Sequence, residues 1–184
     1  MNFFSLQTYI KRISNYISPH VFIYIISNDK IFMSSFLKNF KLNIPHSIKI
    51  YKNGETFLED TFIQKSDPKE IHIIISEYSF SNNNNNDMFF PLNGLDIYDI
   101  IRHTFPEITY IMLAEKSELE STSIPKSIIG IAKNTNSHTR IKNNILSIYN
   151  KQNIITQKQL NMYLFSILGL ISIFIVSYIL FLLT

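Results

Sequence analysis

The chain has no cysteine, only four glycines in 184 residues, and no charged residue after Lys158. The first absence excludes disulfides and thiolate metal sites and suits a reducing compartment. The second leaves no glycine-rich phosphate loop and no nucleophile elbow, so neither a P-loop nor a Ser-His acyl-transfer site has a motif to rest on. The five histidines (His20, His46, His72, His103 and His138) are scattered without ligand spacing, which argues against a metal centre. A net charge of +3 is too mild to argue for a nucleic-acid partner.

The missing charge at the C-terminal end is informative in its own right. Met162–Leu183, MYLFSILGLISIFIVSYILFLL, is 22 uncharged residues, roughly 33 Å of helix against a hydrocarbon core of about 30 Å. A soluble helix of this length would carry a polar stripe, and Ser166, Gly169, Ser172 and Ser177 do not make one. Residues 162–183 are therefore expected to form a transmembrane helix. Arg140, Lys142, Lys151 and Lys158 precede it and only Thr184 follows, so the positive-inside bias places the preceding domain in the cytoplasm, on a single-pass anchor in the inner membrane. Residues 150–161 form a juxtamembrane linker or helix. At the other end, Lys11 and Arg12 come after the first apolar residues rather than before them. Residues 1–20 thus read as a short amphipathic helix and not as a signal peptide.

Between these ends, 46% hydrophobic content supports one packed domain, residues 21–149. Apolar β-rich runs at Val21–Ile26, Ser47–Tyr51, Ile71–Ser76, Thr109–Leu113 and Ser127–Ala132 alternate with helical spacing. The helical segments are Lys30–Phe40, Asn53 to about Phe62, Gly94–Thr104 and Asn136–Tyr149. Near-continuous Ile, Val and Tyr strands without polar alternation predict an α/β fold, a parallel sheet covered on both faces. In such sheets the functional cleft lies at the carboxyl ends of the strands. Those ends carry Ser27-Asn28-Asp29, Ser76-Glu77, Ala114 and Lys133, so an acid, a lysine and a polar turn are expected to converge on one crevice.

Five segments in order, IYIISNDKIFMSSFL, IKIYKNGETFLE, IIISEYSF, NGLDIYDIIRHTFPEITYIMLA and GIAKN, resemble the response-regulator receiver domain of two-component phosphorelay signal transduction. AKNTNSHTRIKNNI and the C-terminal span are similar to membrane-anchored single-receiver proteins of the Bacteroidetes. The resemblance implies a (βα)5 doubly wound sheet with flavodoxin-like order 2-1-3-4-5. It also implies a site at which a histidine kinase phosphorylates an aspartate with Mg²⁺ bound. By position the phosphoacceptor equivalent is Glu77, the acidic-pocket equivalents are Ser27 and Asn28 with Asp29 just after them, the switch equivalents are Ala114 and Gly130, and the lysine is Lys133.

Only Lys133 keeps the family's residue type. Neutral Ser27 and Asn28 weaken any Mg²⁺ site, which needs close oxygen ligands, normally including carboxylates. Glu77 is one methylene longer than aspartate, and in-line transfer depends on positioning to about 1 Å. Ala114 has no hydroxyl and Gly130 no aromatic ring to move. The segment between Glu77 and Gly94, with its run of asparagines, is longer than the family's connection and reads as a solvated insertion.

The expected function is that of a pseudo-receiver, not an enzyme, which binds a protein partner at the membrane. That partner would be a histidine kinase or another signalling or secretion component, and a homodimer is compatible with this reading. No metal or other cofactor is called for, and Glu77 becomes the natural counter-ion of Lys133. Two alternatives stay open: a working phosphoacceptor using Glu77 or Asp29, and an unrelated tail-anchored α/β membrane protein.

Overall fold

The computed structural model describes residues 18–60, 70–80 and 92–183. Residues Pro19–Tyr149 form one compact unit, and the residues from Asn150 onward belong to another. The amphipathic helix expected over residues 1–20 falls almost wholly outside the described residues, as do the asparagine run and the end of the second helix. Ser18 and Pro19 lead into the first strand.

In chain order the elements are β1 His20–Ile26, α1 Lys30–Asn39, β2 His46–Tyr51, α2 Gly54–Asp60, β3 Glu70–Glu77, α3 Gly94–Thr104, β4 Thr109–Ala114, α4 Lys116–Ser121, β5 Ile128–Ala132 and α5 Ser137–Leu183. All strand pairs are parallel, in the order β2-β1-β3-β4-β5. This is the predicted (βα)5 arrangement. The strands form where β-branched and aromatic residues cluster, because stiff side chains pack well on a pleated surface.

Alternation along each strand feeds two cores. Ile23, Ile25, Ile73, Ile75 and Ile111 join Met33 and Phe36 of α1 and Ile141 and Ile145 of α5 on one face. Tyr24, Ile26, Ile74, Tyr110 and Met112 join Phe57 of α2 and Ile97, Tyr98 and Ile101 of α3 on the other. Ile73, Ile74 and Ile75 are fully buried, and each contributes about 1.5–3 kcal/mol by leaving water. A sheet buried on both faces explains why β1 and β3 read as unbroken apolar runs.

Local signals set the helix starts. Asp29 caps α1, its Oδ1 accepting from the Phe32 amide at 2.9 Å. Asn93 caps α3 in a reciprocal box with Asp96. The start of α3 presses against the end of β3: a Cβ on Gly94 would stand 2.3 Å from the Glu77 carbonyl oxygen, so only glycine fits. The Gly94 amide donates to the Tyr78 carbonyl at 2.9 Å, and the Tyr110 hydroxyl donates to the Gly94 carbonyl at 2.8 Å.

Element bounds differ from the sequence reading by about a residue at several ends. The third strand spans Glu70–Glu77, one residue longer at each end than the apolar run Ile71–Ser76, and Glu77 stands at its carboxyl end as expected. The last helix is assigned from Ser137 to Leu183, so the fifth receiver helix, the juxtamembrane residues 150–161 and the apolar stretch lie in one continuous element, in keeping with the sequence reading. Among the described residues it is the one helix long and apolar enough to cross a membrane, with a mean hydropathy of 2.6 in its most apolar stretch, none of it buried.

Candidate functional site

The carboxyl ends of the strands bring together Ser27, Asp29, Glu77 and Lys133. Glu77 closes β3 and is 3% exposed. Its Oε1 accepts a short hydrogen bond from the Ser27 hydroxyl and lies 3.3 Å from the Lys133 Nζ. Lys133 follows β5, and its ammonium also donates to Asp29 Oδ2 at 3.0 Å. One lysine thus bridges a carboxylate at the end of β3 and another in the turn after β1. The Phe32 ring lies beneath the same ammonium, with Nζ 5.2 Å from its centroid.

Backbone bonds hold these groups in place. The Ser27 amide donates to the Tyr51 carbonyl at 2.9 Å, fixing the turn after β1, and the Asp29 amide donates to the Ser27 hydroxyl oxygen at 3.2 Å. The Lys133 amide donates to the Ala114 carbonyl at 2.9 Å, which sets where the lysine leaves the sheet. Asn28, between the two engaged residues of that turn, is half-buried.

The protonation states follow from these contacts. The Phe32 amide and the Lys133 ammonium hold the Asp29 carboxyl below the usual aspartate range, against a smaller opposing effect of burial. Burial alone would lower Lys133. The bond to Asp29 and the Glu77 charge outweigh it and raise Lys133 above the ordinary lysine value.

The switch equivalents lie on the neighbouring strands. Ala114 ends β4, is 2% exposed and pairs with Ala132. Gly130 sits in β5 opposite Met112. The space an aromatic ring would use above Gly130 is filled by other side chains. A Cβ there would meet Leu119 Cδ2 at 3.2 Å and Ile124 Cδ1 at 3.6 Å.

Sequence reasoning missed the contacts that pin α4. The Ser79 hydroxyl donates to Glu118 Oε1 at 2.7 Å, and Glu118 Oε2 accepts from the Glu115 amide at 2.8 Å. Thr122 reaches the Tyr78 hydroxyl at 3.3 Å. Together they tie the turn after β3 to the first and last turns of α4. A Ser-Glu pair far apart in sequence has no local signature that would have announced it.

This donor set matches Mg²⁺ poorly. The ion needs near-octahedral oxygens at about 2.1 Å. The turn after β1 offers neutral Ser27 and Asn28, and both nearby carboxylates already face an ammonium. Among the described residues, no group of three or more His, Cys, Asp or Glu could hold a metal ion.

No protein-family model matches the chain, and no curated protein matches its sequence. Solved structures do match. The RcsB response regulator of Salmonella typhimurium superposes with a TM-score of 0.51 at 13% identity, over 73% of this chain and 61% of that one. The response regulator LqsR of Legionella pneumophila superposes with a TM-score of 0.50 at 15% identity, over 79% of this chain and 47% of that one. The fold is the receiver fold. A two-component transcriptional regulator from Clostridium phytofermentans is also similar, with a TM-score of 0.49 at 13% identity over 77% of this chain and 99% of that one. The chain spans about three-fifths of the RcsB structure and about half of LqsR. Identity of this order speaks for the receiver fold and assigns no residue roles.

Proposed function

We propose that the chain is a membrane-anchored pseudo-receiver: a receiver-fold module of two-component signalling that binds a protein partner without accepting a phosphoryl group. The observation that carries this reading is the Lys133 ammonium bonded to Asp29 at 3.0 Å and facing Glu77 at 3.3 Å. In this reading the Glu77–Lys133 pair stands in for the contact a receiver's lysine makes with a phosphoryl group, and it does so permanently. Ala114 supplies no hydroxyl with which to sense a modification, and Gly130 supplies no ring to swing. The module therefore presents one surface at all times, and its partner is a membrane signalling component such as a histidine kinase or a secretion protein. The apolar end of α5 anchors it to the inner membrane with the receiver unit in the cytoplasm.

Labelled acetyl phosphate with Mg²⁺ tests the central point. No label should be retained by the wild-type chain. Mg²⁺-dependent labelling that disappears in Glu77→Gln would overturn the reading and make Glu77 a working acceptor. The anchor is tested separately by deleting the chain from Gln159 onward. The shortened protein should leave the membrane fraction, and its retention there would refute the anchoring.

A further inference from the structure

Far from the Glu77–Lys133 crevice, at the amino ends of the strands, lies a cavity of about 250 Å³ with walls from the second half of α3, the turn to β4, and the residue before β5. Its origin can be read from element lengths. A helix of six residues such as α4 is about 9 Å long, whereas the six residues of β4 beside it extend about 20 Å. The chain covers the remaining distance as the non-helical segment from Thr122 to Ser127. Below α4, the groove between α3 and β5 has no helix to fill it.

The lining is mixed in a way that indicates chemistry. Phe105, Ile108 and Tyr110 give it an apolar and aromatic floor. Tyr98 lies edge-on to Tyr110, their ring centroids 5.3 Å apart, and its hydroxyl is bonded to the Ser127 hydroxyl at the rim. The Arg102 guanidinium lies over the Tyr98 ring, 5.9 Å from its centroid, and no carboxylate among the described residues comes within ion-pair distance of it. An apolar pocket with a few polar groups at one end is the usual form of a small-ligand site. A dry cavity of about 150 Å³ holds benzene, so this one has room for an aromatic ring with a short acidic arm. Ring edges on the floor favour an aromatic guest, and the planar guanidinium fork favours a carboxylate over a neutral oxygen.

We propose that this cavity binds a small aromatic carboxylate, its ring against the floor of Phe105, Ile108 and Tyr110 and its carboxylate on Arg102 beside the Tyr98 and Ser127 hydroxyls. The site is independent of the crevice and does not depend on the pseudo-receiver reading.

The test is saturation-transfer NMR on the full chain in detergent, with 3-phenylpropionate and its uncharged analogue 3-phenylpropanol. Wild type should bind the acid at least five-fold more tightly than the alcohol. Arg102→Gln, a change on an exposed side chain that should leave the fold intact, should erase that difference. Ser127→Trp should fill the cavity and abolish both signals. A thermal-unfolding check confirms that this variant is folded, and Ser127→Leu serves if it is not. Equal binding of acid and alcohol to wild type, an acid signal unchanged in Arg102→Gln, or signals that survive the filled cavity would each overturn the proposal. So would the absence of any acid signal at millimolar ligand.

Discussion

Replacing Lys133 with methionine keeps an unbranched side chain as far as Cε and removes the ammonium. Glu77, 3% exposed, would then be a buried carboxylate with the Ser27 hydroxyl as its remaining side-chain partner. At 3.3 Å and an effective dielectric constant near 20, the lost attraction is about 5 kcal/mol. Desolvation of the pair offsets part of that in the wild type, and breaking buried pairs typically costs about 3–5 kcal/mol. Asp29 adds little: its side chain is 36% exposed and its bond from the Phe32 amide survives, so its share is below about 1 kcal/mol. The expected total is about 4 kcal/mol. For a unit of this size that is a fall in Tm of roughly 12–16 °C. The chain has ten tyrosines and no tryptophan, with only Tyr163 and Tyr178 in the apolar stretch, so near-UV circular dichroism of tyrosine reports chiefly on the packing of tyrosines outside it. Adding Glu77→Gln to Lys133→Met removes the stranded charge and should restore about 2–3 kcal/mol, a coupling the double-mutant cycle measures directly. A shift below about 3 °C for Lys133→Met, or a double mutant equal to the sum of the singles, would refute the account of the crevice.

Asp29 and Lys133 should give stability an acid limb and an alkaline limb. Asp29 is lowered in the folded state, so its contribution is present above the ordinary aspartate value near 4 and is lost as pH falls below it. Lys133 is raised, so its contribution is intact below about pH 10 and is lost above that. Tyr24 and Tyr110, both raised chiefly by burial, add to the alkaline limb. Lys133→Met should shrink that limb without abolishing it, as pH-dependent thermal melts would show. Gly94→Ala should cost about 3 kcal/mol or more because its Cβ meets backbone, whereas Gly130→Ala should change stability by less than about 1 kcal/mol because it meets the flexible end of Leu119. Similar melting temperatures for the two variants would contradict this. Ser79→Ala and Glu118→Gln should each speed amide exchange across Lys116–Ser121, measured by mass spectrometry, and unchanged exchange would show that the Ser79–Glu118 bond does not hold α4.

The sheet was legible because burial on both faces leaves a mark that single residues carry: Ile73, Ile74 and Ile75 admit no other placement, and five such runs separated by amphipathic segments leave few topologies. The convergence of Asp29, Glu77 and Lys133 was legible for a related reason, since parallel strands deliver their carboxyl ends to one edge. The hydrogen bond from Ser27 to Glu77 was not, because a serine after a strand is equally at home in a turn. Nor was the packing of Leu119 and Ile124 over Gly130. It depends on how far α4 extends before the chain leaves it, and the limits of short helices are governed by tertiary contacts more than by propensity. The cavity beside Tyr98 follows from that same length and was invisible for the same cause.

The chain leaves the sheet after Glu77 and enters α3 at Gly94, and Tyr78 and Gly94 are joined by a backbone hydrogen bond of 2.9 Å. Exit and entry thus share a single anchoring point, reinforced by the Tyr78 amide on the Leu113 carbonyl at 2.7 Å and the Leu92 amide on Glu55 at 3.0 Å. Doubling the length of the chain between them costs only about 0.6 kcal/mol of closure entropy. A repeat tract at this position can lengthen or shorten over generations without selection on the fold noticing, and the same indifference makes it the place to splice a fluorescent reporter into the protein.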